Sequence, residues 1–336
     1  MKKEIFVLSN DKIFSKKKRI YIPNNDLNIF LRPLLKNFKV NLLCRKSKTK
    51  QKFKLNIRKI RIFNDLSFLK NKNKKINLMI LTVTPFNFFI FFLLKIFFKK
   101  NLKGKLIILS DGYKEYRYKL GLLGYLIYHF MFSLMKKKLK IISVSKNFTN
   151  LKIDKTISPN NLDPGWYENR KKAKLDKIRI LYIGRFKKEK GIYNFLSILK
   201  DAPKKFNYEF RAVGLNKDYN LENNSNISYI KETNSPEKIK KLYDWCNIFV
   251  LPSYTEGNPR VIFEALSRIR PVVVFEEINF LKKRNKGVFV SKRNFENLNI
   301  KLNYIIKNYK KIQKDIKSNK KVTFNIFSKS FIKHFI

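Results

Sequence analysis

Apolar residues recur along this chain with two alternating periods. Short unbroken runs, Ile5–Leu8, Val40–Cys44, Ile60–Phe63, Leu78–Val83, Leu106–Leu109 and Ile141–Val144, have the length of buried strands. Between them lie longer stretches with helical spacing, Leu27–Phe38, Phe86–Phe98 and Leu120–Lys138. The alternation then restarts, with Ile178–Ile183, Phe210–Val213, Ile227–Ile230, Ile248–Leu251 and Val272–Phe275 as strands. Ile192, Phe195, Leu196 and Leu199 mark one helix face, and Ile239, Leu242, Tyr243 and Cys246 repeat the spacing. Strands without a polar face, separated by helices, predict an α/β fold of parallel sheets covered by helices on both sides.

The pattern breaks once into turn chemistry, at Ser158-Pro159-Asn160-Asn161-Leu162-Asp163-Pro164-Gly165, followed by the charged stretch Glu168–Lys177. This divides the chain into two Rossmann-like domains, residues 1–165 and 166–310. A basic helical tail, 311–336, has a break near Thr323-Phe324-Asn325. A length of 336 residues agrees with two cores. Paired domains of this kind predict a ligand at the carboxyl ends of the strands, in a cleft that the domains face.

Composition changes the picture less than its numbers suggest. The formal charge is +52, from 76 Lys and Arg against 24 Asp and Glu. Abundant Lys, Asn, Ile and Phe with scarce Ala fit the codons of an A- and T-rich genome, which accounts for much of the excess lysine. Zinc-finger spacing and a single-strand-binding aromatic signature are both missing, so nucleic acid is not an expected partner. Cys44 and Cys246 lie in apolar segments and read as reduced core residues of a cytoplasmic protein. Ile5–Leu8 is too short for a signal-peptide core. Phe88–Leu94 and Leu120–Met135 are apolar yet too short to span a bilayer. Their basic flanks, Lys99-Lys100 and Lys136-Lys137-Lys138, predict peripheral contact with an anionic membrane surface, the inner face of the plasma membrane.

Candidate chemistry lies in two stretches. Between the strand runs at 248–251 and 272–275 is Tyr254-Thr255-Glu256-Gly257-Asn258-Pro259-Arg260-Val261-Ile262-Phe263-Glu264. Asn258 is the expected helix cap and Pro259 the first helical residue. Glu256 and Glu264 then flank backbone N–H groups at a helix N-terminus, an arrangement for a ligand carrying both hydroxyls and phosphate. The second stretch, Gly184-Arg185-Phe186-Lys187-Lys188-Glu189-Lys190-Gly191, joins a strand to a helix. Gly184 allows a sharp turn, while Arg185 and Lys190 bring positive charge suited to a diphosphate.

Together these stretches resemble the family-4 retaining glycosyltransferases of the GT-B fold. Pro159-Asn160-Asn161-Leu162-Asp163 looks like that family's interdomain turn, and Phe324-Asn325-Ile326-Phe327-Ser328 like its final helix, which returns to the first domain. The resemblance implies a hexosyltransferase acting in polysaccharide or lipopolysaccharide biosynthesis. It implies a UDP- or GDP-sugar donor, a glycan or lipid-linked acceptor, and no cofactor or metal. It implies that Arg185 and Lys190 hold the donor diphosphate, that Glu256 lies near the sugar hydroxyls, and that Glu264 binds the ribose. Gly184 and the backbone of Asn258, Pro259, Arg260 and Val261 would complete the cradle. The chain departs from the family at three places. Ser9-Asn10-Asp11-Lys12 replaces a glycine-rich loop, Asp111 stands where a histidine is common, and Ile269 stands where glycine is common, before the altered loop Phe275–Asn279. Asp111 is the expected sugar contact in place of the histidine. A catalytically inactive scaffold that binds nucleotide or a partner enzyme is the alternative.

Overall fold

The computed structural model describes residues 2–16, 19–23, 26–51, 53–55, 60–63, 75–98, 101–146, 148, 153–160, 162–215, 225–233 and 235–335. Lys99-Lys100 and Asn161 lie outside the described residues. The chain forms two compact units, residues 1–161 with 324–336, and residues 162–323.

The first unit contains β1 (Lys3–Lys16), β2 (Arg19–Ile22), α1 (Asp26–Asn37), β3 (Phe38–Lys46), β4 (Phe53–Leu55), β5 (Ile60–Phe63) and β6 (Ile76–Leu81). After these come α2 (Pro85–Phe98), β7 (Leu102–Ile108), α3 (Gly112–Lys136), β8 (Leu139–Ser143) and β9 (Lys155–Thr156). Strands β5, β3, β1, β6, β7, β8 and β9 run side by side and parallel, with Ile5 opposite Val40 and Phe6 opposite Leu78. Ile5, Val7, Leu8, Val40, Leu42, Leu78 and Ile80 are all buried, as continuous apolar strands covered on both faces require. Strand β1 runs well beyond the expected Leu8. Its register against β3 shifts between Leu8 and Lys12, so the polar Ser9-Asn10-Asp11 stretch is absorbed and pairing resumes at Lys12, followed by buried Ile13.

Helix α3 begins at Gly112, earlier than the apolar run from Leu120 predicts, because Asp111 caps it through a hydrogen bond from the Lys114 N–H. Its dihedrals leave the helical region at Leu120 and at Gly121, where φ is +61°. The ring centroids of Tyr113 and Tyr128 are 4.8 Å apart. Along an unbroken helix that separation would be about 22 Å, so the element is a hairpin of two limbs folded at Leu120-Gly121. Gly112 permits this closure, since a Cβ there would come within 2.0 Å of the Tyr128 ring. The chain's last helix, Phe324–Ile332, belongs to this unit and sets Phe327 and Phe331 against Phe30 of α1, at 5.9 and 5.6 Å. Residues 311–323 remain with the second unit. The tail therefore divides at Phe324 instead of 311, where the apolar stripe changes from Ile312 and Ile316 to the Phe327–Phe331 pair.

The second unit contains β10 (Ile178–Ile183), α4 (Ile192–Lys200), β11 (Tyr208–Leu215), β12 (Ile227–Lys231), α5 (Pro236–Trp245), β13 (Ile248–Leu251), α6 (Arg260–Ser267) and β14 (Val272–Phe275). It ends with α7 (Phe280–Arg284), β15 (Val288–Ser291), α8 (Phe295–Lys307) and α9 (Tyr309–Lys317). The sheet order is β12-β11-β10-β13-β14-β15, all parallel, which is the doubly wound Rossmann order. Its entry segment is held by two buried arginines. Arg268 forms two hydrogen bonds to the Asp244 carboxylate, at 2.9 and 2.7 Å, and donates to the carbonyls of Trp166, Glu168 and Asn169. Arg270 donates to the carbonyls of Lys171, Tyr243 and Asp244.

Candidate functional site

In the second unit β10 and β13 are neighbours, and the chain winds away from them in opposite directions along the sheet. Such a switch point leaves a crevice beyond the carboxyl ends of the two strands. The loop leaving β10 is Gly184–Gly191, and the loop leaving β13 is Pro252–Pro259. The two sequence stretches of interest therefore meet at one place.

Their contact is direct. The Lys190 ammonium donates to Oε1 of Glu256 at 2.7 Å, across 66 positions of sequence. Ser253 Oγ donates to the same oxygen at 2.7 Å. The Tyr254 N–H donates to the Glu189 carbonyl at 3.1 Å. Gly191 turns the chain at φ +66°, and a Cβ there would lie 1.9 Å from the Pro252 carbonyl oxygen. A glycine is needed there, for the left-handed backbone and for the close approach. Gly184 is tied back by its N–H to the Val213 carbonyl at 3.0 Å. The Arg185 carbonyl accepts from Tyr182 Oη at 2.8 Å, whereas its side chain is exposed. Burial first, and the Glu256 charge second, hold the Tyr182 phenol protonated well above its ordinary range.

Helix α6 starts one residue later than the expected cap implies. Pro259 occupies the N-cap in an extended conformation with no side-chain capping bond, and Arg260 is the first helical residue. Asn258 thus lies outside the helix. Glu264 is only 2% exposed, and its oxygens accept from Tyr243 Oη at 2.9 Å and from Arg260 Nε at 2.6 Å. The pair with Arg260, one turn back, confirms that this carboxylate leans toward the helix start. Tyr243 Oη also lies 3.2 Å from the Val261 carbonyl. Burial, reinforced by the Glu264 charge, raises the Tyr243 pKa strongly.

Arg293 is a member of this constellation that the sequence did not reveal. It follows β15, and its guanidinium donates to the Pro252 carbonyl at 2.9 Å, to Asn194 Oδ1 at 3.2 Å and to Glu277 Oε1 at 2.6 Å. It also stacks over Tyr254 at 3.9 Å and Phe275 at 4.6 Å. One side chain thereby joins the β13 loop, α4 and the altered Phe275–Asn279 loop. No signal marks it in the sequence, because one more cation after a strand is unremarkable in so basic a chain. Ile269 keeps the backbone that glycine would adopt, at φ +58°, a strained conformation for a β-branched residue.

Asp111 belongs to the first unit, where its side chain is buried and caps α3 by accepting from the Lys114 N–H at 3.3 Å. An opening in the same unit is lined by Ser9, Asn10 and Asp11 at the register shift within β1, by Thr82 and Thr84 beyond the end of β6, and by the apolar Leu27, Phe30, Leu81 and Leu109. Thr82 bends there at φ +62°.

Residues 167–323 match the family described as glycosyl transferases group 1. An uncharacterized glycosyltransferase of Haemophilus influenzae is 28% identical over 164 residues, which are 45% of this chain. That match takes in 44% of the relative's length. Among solved structures, sucrose-phosphate synthase of Thermosynechococcus elongatus superposes with a TM-score of 0.68 at 12% identity, over 99% of this chain and 98% of that one. Anabaena Alr3699/HepE, solved in complex with UDP and glucose, superposes with a TM-score of 0.65 at 12% identity, over 99% of both chains. At such identity the likeness speaks for the fold, an α/β GT-B architecture, while the family match falls on the segment carrying the Lys190–Glu256 crevice. Residues 167–323 therefore form a glycosyl transferases group 1 domain.

Proposed function

We propose that this protein is a retaining hexosyltransferase that moves a sugar from a UDP- or GDP-sugar to a cell-surface glycan or lipid-linked acceptor, without a metal, at the inner face of the plasma membrane. The observation that carries the reading is the Lys190–Glu256 pair, which joins two loops of opposite character beside the open Arg185. The solved relative bound to UDP and glucose supports the donor class.

In this reaction the bond from the anomeric carbon to the diphosphate breaks. The acceptor oxygen bonds to the same face of that carbon, and the acceptor's proton passes to the departing diphosphate. Negative charge grows on the leaving group as its bond lengthens. Arg185, Lys190 and the α6 N-terminus stabilise it most where it develops, which lowers the barrier and does more than tighten binding. Glu256 and Ser253 position the Lys190 ammonium before donor arrives, and Glu256 faces the sugar hydroxyls. Glu264, oriented by Tyr243 and Arg260, accepts from the ribose hydroxyls. The opening lined by Ser9, Asp11 and Thr84 together with Leu27 and Phe30 is the acceptor side.

Thermal shift against a series of UDP- and GDP-sugars, followed by turnover with the stabilising donor, tests this reading. Arg185→Ala and Lys190→Ala are each expected to lower kcat by about a hundredfold, with a smaller change in donor affinity. A wild-type protein that no nucleotide sugar stabilises sinks the proposal. Donor binding without transfer or donor hydrolysis would instead establish an inactive nucleotide-binding scaffold.

A further inference from the structure

Helix α2 and the hairpin α3 present a continuous apolar face to solvent. On α2 the large apolar side chains Phe89, Phe92, Ile96 and Phe97 are exposed along one stripe of the helix. At the fold of the hairpin, Leu122 is 70% and Leu123 65% exposed, and the stripe continues along the second limb through Leu126, Ile127 and Phe130. The two helices are joined by Phe88, whose ring lies 5.8 Å from Phe130 and 6.4 Å from Phe92. Exposed apolar groups in such a contiguous patch mark a docking surface.

Charge identifies what docks. Lys114, Arg117 and Lys119 lie on the first limb and Lys136-Lys137-Lys138 at the end of the second, all exposed. Helix α2 has no acidic residue, and the acidic residue of α3, Glu115, is held by Lys119 at 2.6 Å and Ser110 at 2.9 Å. An apolar band bordered by cations is complementary to a bilayer with anionic headgroups. A second copy, carrying the same lysines and a net charge of +52, would be repelled. No helix among the described residues is long and apolar enough to cross a membrane, so the element lies on the surface.

We propose that the α2–α3 face is an interfacial anchor for anionic lipid, with Leu120, Leu122 and Leu123 at the hairpin fold inserted among acyl chains and the flanking lysines at the headgroups. This names the surface by which the protein reaches the membrane and rests on the first unit alone, not on the donor chemistry above.

Co-sedimentation of the full chain with vesicles tests it, using neutral phosphatidylcholine and phosphatidylcholine containing phosphatidylglycerol. Binding is expected to require the anionic lipid and to weaken as salt rises. Leu122→Glu/Leu123→Glu is expected to weaken it by about tenfold, with an unchanged melting temperature, because both side chains are exposed. Lys136→Gln/Lys137→Gln/Lys138→Gln is expected to weaken it by at least about tenfold and to remove most of the salt dependence. Equal binding to both vesicles, undiminished binding of the double leucine variant, or a dimer in light scattering that this variant dissolves would each overturn the proposal. Nucleotide-sugar binding measured on the same samples keeps this result separate from the catalytic reading.

Discussion

Arg293 makes three directed hydrogen bonds and stacks on two rings, so shape matters at this position as much as charge. A lysine keeps the charge but cannot bond in three directions while lying flat on Tyr254. Arg293→Lys is therefore expected to lower stability by about 2 kcal/mol in urea unfolding and to weaken donor binding by loosening the Pro252–Pro259 loop. An unchanged urea midpoint would show that the guanidinium geometry is unimportant. Glu256 and Lys190 stood out in the sequence because each belongs to a local pattern, and the structure brings the two into contact. Arg293 did not stand out, because its importance comes from the three segments that converge on it. Ile269 shows an intermediate case. The resemblance marks it as a position where glycine is common, and the coordinates show why, since tertiary context holds a left-handed backbone there at φ +58°.

At the scale of elements, the strands were the most legible. Ile60–Phe63, Ile178–Ile183, Ile248–Leu251 and Val272–Phe275 begin and end where the apolar runs do. Helix ends were less so: α6 starts after Pro259, and α3 begins eight residues before its apolar run, in a limb whose buried face is tyrosine. The hairpin in α3 depends on Tyr113, Tyr116, Tyr125 and Tyr128 packing across the fold in tilted and edge-on contacts, which helical periodicity does not encode. The segment entering β10 is likewise fixed by distant residues, Arg268 and Arg270. Arg268→Ala leaves the Asp244 carboxylate buried without its bidentate partner and three backbone carbonyls without a donor. The expected loss is about 3–5 kcal/mol, measured by denaturant unfolding. A loss below about 1 kcal/mol, the size of an exposed pair, would refute this account of the clamp.

At the scale of the molecule, buried weak acids dictate an alkaline limit. Burial pushes the Cys246 thiol up to about 12 from an ordinary 9.0, and it raises Tyr182, Tyr243 and Tyr309 above their ordinary 10.0. All four lie in the second unit. A raised folded pKa gives stability that is fully present below the unfolded pKa and lost as pH rises toward the folded one. Stability should therefore hold to about pH 9 and then fall, by about 1.4 kcal/mol per pH unit for each group ionising only in the unfolded chain. Melting temperatures from pH 8 to 11 check this, and a flat profile would contradict it. Cys246 and Cys44 should also resist thiol alkylation until the chain unfolds.

Alternating apolar runs were enough to determine an α/β chain with two parallel sheets, because a strand buried on both faces leaves no polar position to disguise it. Local order was also enough to place Gly184–Gly191 and Glu256–Glu264 at loop-to-helix junctions, since glycine, proline and charge act on their own neighbourhood. Tertiary structure decided what those junctions do together. It set Lys190 against Glu256, gave Glu264 two protein partners and added Arg293. It moved Asp111 into a helix cap and folded Leu120–Leu123 outward. These are consequences of long-range closure, in which residues far apart in sequence share one desolvated space, and no window of sequence contains them. The opening contrast of apolar and polar positions thus specifies the sheets, while the site belongs to the crossing point that the sheet order creates.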